Sequence, residues 1–521
     1  MTAKILPPGL TAGDFDRAMK AFAGIVGDGW VLVTDQDREA YRDFFSFNDT
    51  HHLASGAVAP ASVEEIRAVV KVAAQYRIPL WPISRGKNLG YGAAAPLLSG
   101  SLVLDLSRMK KIEVDVANGT VLVEPGVGFY DLYHHLEERN IPLWLSVPGN
   151  SWGSVCGNAL DRGVGYTTYG DHTSRICGLE VVMPDGDLVR TGMGAMAGAP
   201  TWQLYRYGFG PAWDQMFVQS NFGIVTKMGL WLMPEPESLR GFDLEFDKPE
   251  DLEWVVDTVA PLRRDGTLQQ SPSIGNWLRS AAVMTTRREW YDKPDALPDS
   301  VINAIRKRFN IGWWSISVRF YGPDEVTAAS EKVVSRAFNG RPVLSRKDAL
   351  WHRGQPREQS AWAGVPMTMP LQNANWHGGR GGHVGFSPVM PTNGRLALAQ
   401  FQRTYARYKE FGMDYHGSFA LGDRHTTNVN QVLFNKDDPD MLKRVQQFFH
   451  ALVNDASHER YGEYRTHIEY MDLVADTYDF NGHALRRLNE KVKNALDPHG
   501  IIAPGKSGIW PAAYAQERSH D

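Results

Sequence analysis

Residues 78–83, Ile-Pro-Leu-Trp-Pro-Ile, form a short apolar run that empties directly into Ser84-Arg85-Gly86-Lys87-Asn88-Leu89-Gly90-Tyr91-Gly92. A buried strand running into three closely spaced glycines constrains the chain more than any other stretch. Glycine adopts positive φ without a Cβ penalty and lets backbone approach a ligand closely. Consecutive amides in such a turn make an anion-binding concavity suited to a diphosphate. The spacing matches neither the P-loop nor the dinucleotide fingerprint of a βαβ unit. From these residues alone, an ordinary glycine-rich connection between strands stays open beside the diphosphate loop.

Flanking segments carry clear local signals. Residues 13–26 have helical periodicity with Phe15, Met19, Phe22 and Ile25 on one face. Ser62 and Glu65 predict a capping box, followed by the apolar stripe Ile66, Val69, Val70 and Ala73. Residues 101–106, 120–124 and 143–147 predict strands, and 130–139 a helix. Pro184-Asp185-Gly186 predicts a hairpin between strands at 179–183 and 188–191. The apolar run 223–233 ends at Pro234-Glu235-Pro236, the first expected domain boundary.

Beyond that point strands alternate with helices: 242–246 then 249–262, 313–321 then 324–338, 384–389 then 394–411, and 419–434 then 439–456. That alternation predicts an α+β domain with helices covering one sheet. Residues 362–382 are rich in Gly, Asn and Trp and predict loops over a ligand cleft. A last helix at 484–496 stops before Asp497-Pro498, and a flexible tail is expected after Trp510.

The chain has 521 residues and a net charge of −4, which gives no electrostatic case for nucleic acid or an anionic membrane. Length predicts two to four domains. No apolar run approaches the roughly 18 residues of a membrane span, and residues 1–15 lack the apolar core of a signal peptide. Cys156 and Cys177 are the only cysteines, so a disulfide is possible without a framework, in keeping with a reducing cytoplasm. No metal-ligand spacing and no nucleophile-elbow motif occurs. The adjacent pairs His51-His52 and His134-His135 point apart and are expected at the surface.

Three further segments carry a resemblance. They are Ser154-Val155-Cys156-Gly157-Asn158, residues 161–172 (Asp-Arg-Gly-Val-Gly-Tyr-Thr-Thr-Tyr-Gly-Asp-His), and Gly381-Gly382-His383-Val384-Gly385-Phe386-Ser387-Pro388. With the glycine loop, they resemble the vanillyl-alcohol oxidase/p-cresol methylhydroxylase family from about Leu6 to Trp510. The resemblance implies an α+β chain with an FAD-binding domain of two α/β subdomains and an α+β cap whose sheet is mixed and largely antiparallel. The implied extents are 1–236 and 469–521 for the FAD domain and 237–468 for the cap.

The resemblance also implies roles. FAD contacts fall to Ser84, Arg85, Gly86, Lys87, Asn88, Leu89 and Gly90 in the loop. Further contacts fall to Ser154, Gly157, Asn158, Gly165 and Tyr166, to Gly223, Ile224 and Val225, and to Lys506. His383 stands where the family's oxidases bind the flavin covalently, while Ala374 stands where p-cresol methylhydroxylase uses a tyrosine. Tyr91, Tyr464 and Arg465 match the residues around the phenol oxygen of the substrate, and their chemistry suits a phenolate in a dry pocket. Gly149, Asn150, Tyr166, Ser387 and Ser418 are the expected pocket wall.

Two departures stand out. Gly149 replaces the aspartate many of these oxidases place near flavin N5, and Arg424-His425-Thr426-Thr427-Asn428 replaces an Arg-Glu-Met-His-His motif. The implied activity is oxidation of para-substituted phenols through a p-quinone methide, with dioxygen as acceptor and a homodimer or larger assembly. A cytochrome-coupled dehydrogenase and a non-catalytic flavin- or phenol-binding protein remain the alternatives.

Overall fold

The computed structural model describes residues 5–47 and 51–518. Its first sheet has four strands, in spatial order Val31–Leu32, Gly56–Val58, Leu102–Asp105 and Leu80–Ile83. The last three strands run parallel. Helices Ala12–Val26 and Val63–Tyr76 cover this sheet with the stripes foreseen, burying Phe15, Phe22, Ile66, Val69 and Val70. Ser62 caps the second helix through the Glu65 amide. The Glu65 carboxylate reaches past the cap residue to the Ala61 amide, so the reciprocal box is displaced by one position.

The chain's end returns to this sheet. The Leu80 amide donates to the Ile501 carbonyl, and the Ala503 amide donates back to the Leu80 carbonyl. Lys493, fully buried on helix Phe480–Leu496, ties that return in place. Its ammonium donates to Asp497 and to the carbonyls of Asn221 and Ile502. The strand that feeds the glycine loop is therefore held from one side by Leu102–Asp105 and from the other by the segment around Ile501 and Ala503, far apart in sequence.

A second, five-stranded antiparallel sheet runs Ile112–Asp115, Thr120–Val123, Ile224–Trp231, Ile176–Val182, Leu188–Arg190, with the Pro184-Asp185-Gly186 turn between its last two strands. The largest sheet has eight strands drawn from Ser238 to Asn435, and every pairing in it is antiparallel. Helices Asp251–Arg264, Gly394–Glu410 and Pro439–His458 bury their apolar stripes in the same core as Trp314, Phe386 and Phe419. The fold class is α+β.

Several expectations change. The single strand expected over 419–434 is a hairpin, Gly417–Leu421 and His425–Asn435, because Gly422-Asp423-Arg424 turns the chain. The strand expected over 143–147 pairs only at Leu143–Trp144. Residues 362–382 are not all loop. Met369–His377 winds into 3₁₀ turns, and Trp376 is fully buried with its indole N–H on Asp414. The segment after Trp510 is packed through Tyr514, which is buried, and the Ala512 amide donates to Asn494. His52 is half-buried between the Leu97 carbonyl and Glu469 rather than free at the surface. Cys156 and Cys177 are both free and buried. No helix of the described residues is long and apolar enough to cross a membrane.

Candidate active site

The glycine loop leaves the C-terminal end of strand Leu80–Ile83 and opens on a cavity of about 1990 Å³. That is roughly twice the upper end of ordinary small-ligand pockets, about 300–1,000 Å³, and fits a dinucleotide-sized ligand with a substrate beside it. Gly86, Gly90 and Gly92 have φ of 61°, 82° and 112°. Among the described residues, none of the amides of Gly86, Lys87, Asn88, Leu89 and Gly90 donates to a protein acceptor. Buried amides are normally paired, so the four consecutive free donors that line the cavity, Gly86, Lys87, Asn88 and Leu89, form the nest that a diphosphate requires. FAD fits this donor set.

Other expected contacts surround the same space. Ser84 and Ser154 share a hydroxyl–hydroxyl bond of 2.5 Å, and any side chain at Gly157 would strike it. Asn158 accepts from the His172 ring, whose pKa burial lowers to about 4. Gly165, Tyr166, Gly223, Ile224, Val225 and Lys506 also line the cavity. Arg85 and Gly90 do not. The Arg85 guanidinium pairs with Asp131 at 2.7 Å, and Gly90 packs its Cα face against the His383 ring, where a Cβ would collide.

Asp161 organises the centre, a position the motif included without a role. Its carboxylate accepts from Asn88 (2.9 Å) and Lys506 (3.1 Å), and its carbonyl from Arg465 (3.4 Å). Glycine loop, C-terminal segment and cap thus meet on one residue. Gln219 adds a second tie by donating to the Tyr464 carbonyl at 3.0 Å.

The structure brings Tyr91, Tyr464 and Arg465 together. The Arg465 guanidinium lies 4.0 Å over the Tyr91 ring and 5.8 Å from the Tyr464 ring centre. Among the described residues it forms no ion pair, and its Nε has no partner. Burial opposes the charge, but Tyr91, Tyr464 and Asp161 overcome that and hold it protonated. Burial lifts the Tyr464 phenol to about 12, with Arg465 pulling the other way. Two phenols and a cation with spare donors therefore cluster at the cavity wall.

His383 enters from strand Gly381–Phe386, and Phe45 meets its ring edge-on at 4.9 Å. Burial lowers its pKa to about 4, so the imidazole is neutral and nucleophilic at ordinary pH. Beyond Phe45 lies a buried pair the sequence did not reveal. His467 Nε2 bonds Asp43 at 2.7 Å, while its Nδ1 accepts from the Glu469 amide, which fixes the tautomer. Ala374 also lines the cavity and offers no hydroxyl for a flavin bond.

The expected pocket wall is partly corrected. Gly149, Asn150, Tyr166 and Ser418 line the cavity, but Ser387 does not. The His383 strand ends at Phe386, and Ser387 turns inward, fully buried, with its amide on Glu463. Glu463 itself has one oxygen without a partner among the described residues, and burial raises its pKa well above the usual carboxylate value. The Tyr166 hydroxyl stands 3.2 Å from where a Gly149 Cβ would lie. Thr427, from the altered motif, also faces the cavity.

Comparison with known proteins agrees with this geometry. The model of the FAD binding domain matches residues 54–192, and that of the FAD linked oxidases' C-terminal domain matches 312–507. The 4-cresol dehydrogenase [hydroxylating] flavoprotein subunit of Pseudomonas putida is 37% identical over 97% of this chain and 98% of its own. The 4-ethylphenol oxidase of Gulosibacter chungangensis, solved with isoeugenol, superposes with a TM-score of 0.93 at 34% identity, covering 98% of this chain and 100% of its own. Substrate-bound p-cresol methylhydroxylase superposes at 0.92 with 36% identity, covering 97% and 99%. The chain belongs to the vanillyl-alcohol oxidase/p-cresol methylhydroxylase family. As a member of that family it is an FAD-dependent oxidoreductase, and Ser154, Asn158 and Lys506 line the same cavity as the loop.

Proposed function

We propose that this flavoenzyme oxidises para-substituted phenols at the benzylic carbon and passes the electrons to dioxygen. The observation that carries the reading is Arg465. A cation set deep in the fold between two phenols, with no carboxylate partner among the described residues, lacks its counter-ion until an anion arrives. A substrate phenolate supplies that charge, and Tyr91 and Tyr464 donate to the same oxygen. The names of the relatives, 4-cresol dehydrogenase and 4-ethylphenol oxidase, point to substrates of this class.

Bound FAD supplies the two-electron acceptor for the hydride that leaves the benzylic carbon. The protein's part is electrostatic. Preorganised donors stabilise the phenolate, which pushes charge toward the para carbon and weakens the benzylic C–H bond. The resulting p-quinone methide takes up water or loses a proton to give an alkene. His383 is the residue for covalent attachment of the flavin, which raises its potential as an acceptor.

Anaerobic addition of 4-ethylphenol to the yellow protein is expected to bleach the flavin. A non-catalytic binder would keep its oxidised spectrum. Admitting air then separates the acceptors. Fast reoxidation with stoichiometric hydrogen peroxide supports the oxidase. Slow reoxidation that a c-type cytochrome accelerates supports the second reading, a dehydrogenase, which the 37% identity to the Pseudomonas putida subunit favours. Acid precipitation tests the covalent bond. Colour is expected in the pellet for the wild type and in the supernatant for His383→Ala, and free flavin from the wild type would refute the assignment.

A further inference from the structure

The cap wall of the cavity is unusually polar for a site that takes an alkylphenol. Side chains alternate across a strand, and register carries one face of the cap sheet into the cavity. Gly385 pairs with Gln431, the Gln431 amide donates to the His416 carbonyl, and Ser418 pairs with both Val429 and Gly275. His416, Ser418, Gln431 and Arg279 all line the cavity from this side.

His416 is the odd member. It is 2% exposed, yet neither Nδ1 nor Nε2 has a hydrogen-bond partner among the described residues. A buried ring with both nitrogens unpaired is costly, and a ligand polar group removes the cost. Burial, then the charge of Arg279, then His383 keep the ring neutral, so it offers one donor and one acceptor. Arg279 is the second observation. Arg263 on the same wall is committed to Asp423 and to three carbonyls. Arg279 instead makes one bond, to the Ser273 hydroxyl at 3.2 Å, and no ion pair among the described residues. Most of its five donors are left for the cavity, in the planar fork that suits a carboxylate.

We propose that Arg279 and His416 form a subsite for an oxygen-bearing, anionic end of the substrate's para side chain, so that the preferred substrates are 4-hydroxyphenylalkanoates. This deepens the phenol reading and rests on it. Arg465 fixes the phenol oxygen at one end of the substrate, and Arg279 fixes a carboxylate at the other. A plain alkyl chain would leave the His416 nitrogens unpaired.

The test is equilibrium binding to the flavin-loaded enzyme, reduced with dithionite under anaerobic conditions so that the ligand cannot be oxidised, with 3-(4-hydroxyphenyl)propanoate and its neutral isostere 3-(4-hydroxyphenyl)propanamide. The wild type is expected to bind the acid at least about tenfold tighter, the scale of a single charge-assisted contact. Arg279→Gln is expected to bring the two affinities together. His416→Phe is expected to weaken both ligands, because both present an oxygen. Equal affinities in the wild type overturn the proposal without any variant being needed, and so does an unchanged ratio in Arg279→Gln that retains its flavin. Bleaching by 4-ethylphenol reports on the phenol reaction separately. If bleaching fails while the acid preference holds and Arg279→Gln removes it, the phenol reading falls and the anion subsite stands.

Discussion

The two sides of the cavity offer their proposed ligands different means of recognition. On the proposed FAD side, that means is backbone. Four residues with free amides, Gly86 to Leu89, line the cavity from a loop whose glycines have positive φ, and side chains such as Arg85 turn away to pair elsewhere. On the cap side, the proposed recognition runs through side chains on antiparallel strands, including His383, Ser418 and Gln431, and through His416 just before strand Gly417–Leu421. A backbone site tolerates variation in the side chains but not in the glycines. A side-chain site behaves the other way round. The phenol-oxygen cluster joins the two, with Tyr91 from the glycine loop and Tyr464 and Arg465 from the far end of the cap.

That junction is where substitution is expected to cost most. Arg465→Ala removes a charge-assisted contact to a buried anion, a loss of about 2–5 kcal/mol, or roughly thirty- to several-thousand-fold in the rate of flavin reduction by 4-ethylphenol. FAD is expected to stay bound, because Arg465 is not among the residues proposed to hold it. Stopped-flow reduction together with the flavin-to-protein absorbance ratio checks both halves. A near-normal rate would remove Arg465 from the chemistry.

The same contrast explains what could be read from the sequence. The glycine loop was visible as closely spaced glycines, which alone left an ordinary connection open, and it took its cofactor role, with the Ser154 and Asp161 segments and the His383 strand, only from the family resemblance these residues carry. Helix stripes were legible because burial imposes a period. Asp161 as a hub, Gln219, the Asp43–His467 pair and His416 were not. Each takes its meaning from a partner hundreds of residues away, or, for His416, from having no hydrogen-bond partner among the described residues. Ser387 failed as a pocket residue because strand parity holds only to Phe386, where the strand ends. The Gly422-Asp423-Arg424 turn was in plain view but was overrun by the apolar residues on both sides.

A smaller effect is expected where the loop backbone meets the cap side chain. Gly90→Val places a branched residue at φ 82° and drives its Cβ into the His383 ring, for about 1–3 kcal/mol of strain. The expected outcome is a clear fall in the fraction of flavin retained in the acid-precipitated pellet, in a protein that still folds. Full retention would show that the loop can give way and that the contact is loose.

Proton control at His383 is expected to act through its neutral form. With the folded-state pKa lowered to about 4 by burial, the ring is neutral above that value. Covalent attachment in apoprotein mixed with FAD should therefore be flat from neutral pH to about 5 and fail as pH drops through about 4. The linked stability change has the same sign. An unfolded histidine titrates near 6.5 and binds the proton first, so this contribution is present above 6.5 and is lost as pH falls through 6.5 to 4. Attachment that declines already between 7 and 6 would mean that the imidazole is exposed to water.

The weakest expected effect concerns ring substituents, and it separates the two walls once more. Gly149 and Ser418 are both small and both line the cavity, but they are not equivalent. The room beside Gly149 is taken by the Tyr166 hydroxyl, 3.2 Å from the position of a Cβ, and Trp362 meets the Tyr166 ring edge-on at 5.6 Å. Trp376 has no part in filling the pocket, because it is fully buried and held by Asp414. Room for a methoxy group is therefore expected on the Ser418 side. One methylene-sized group shifts selectivity by about 1–3 kcal/mol, so 4-propylguaiacol is expected to match or exceed 4-propylphenol in kcat/KM. 4-Propylsyringol, which needs room on both flanks, should fall behind both. Ser418→Gln should then lower the guaiacol value more than the phenol value. If 4-propylphenol wins by about a hundredfold, or if 4-propylsyringol equals 4-propylguaiacol, the assignment of the open flank to Ser418 fails.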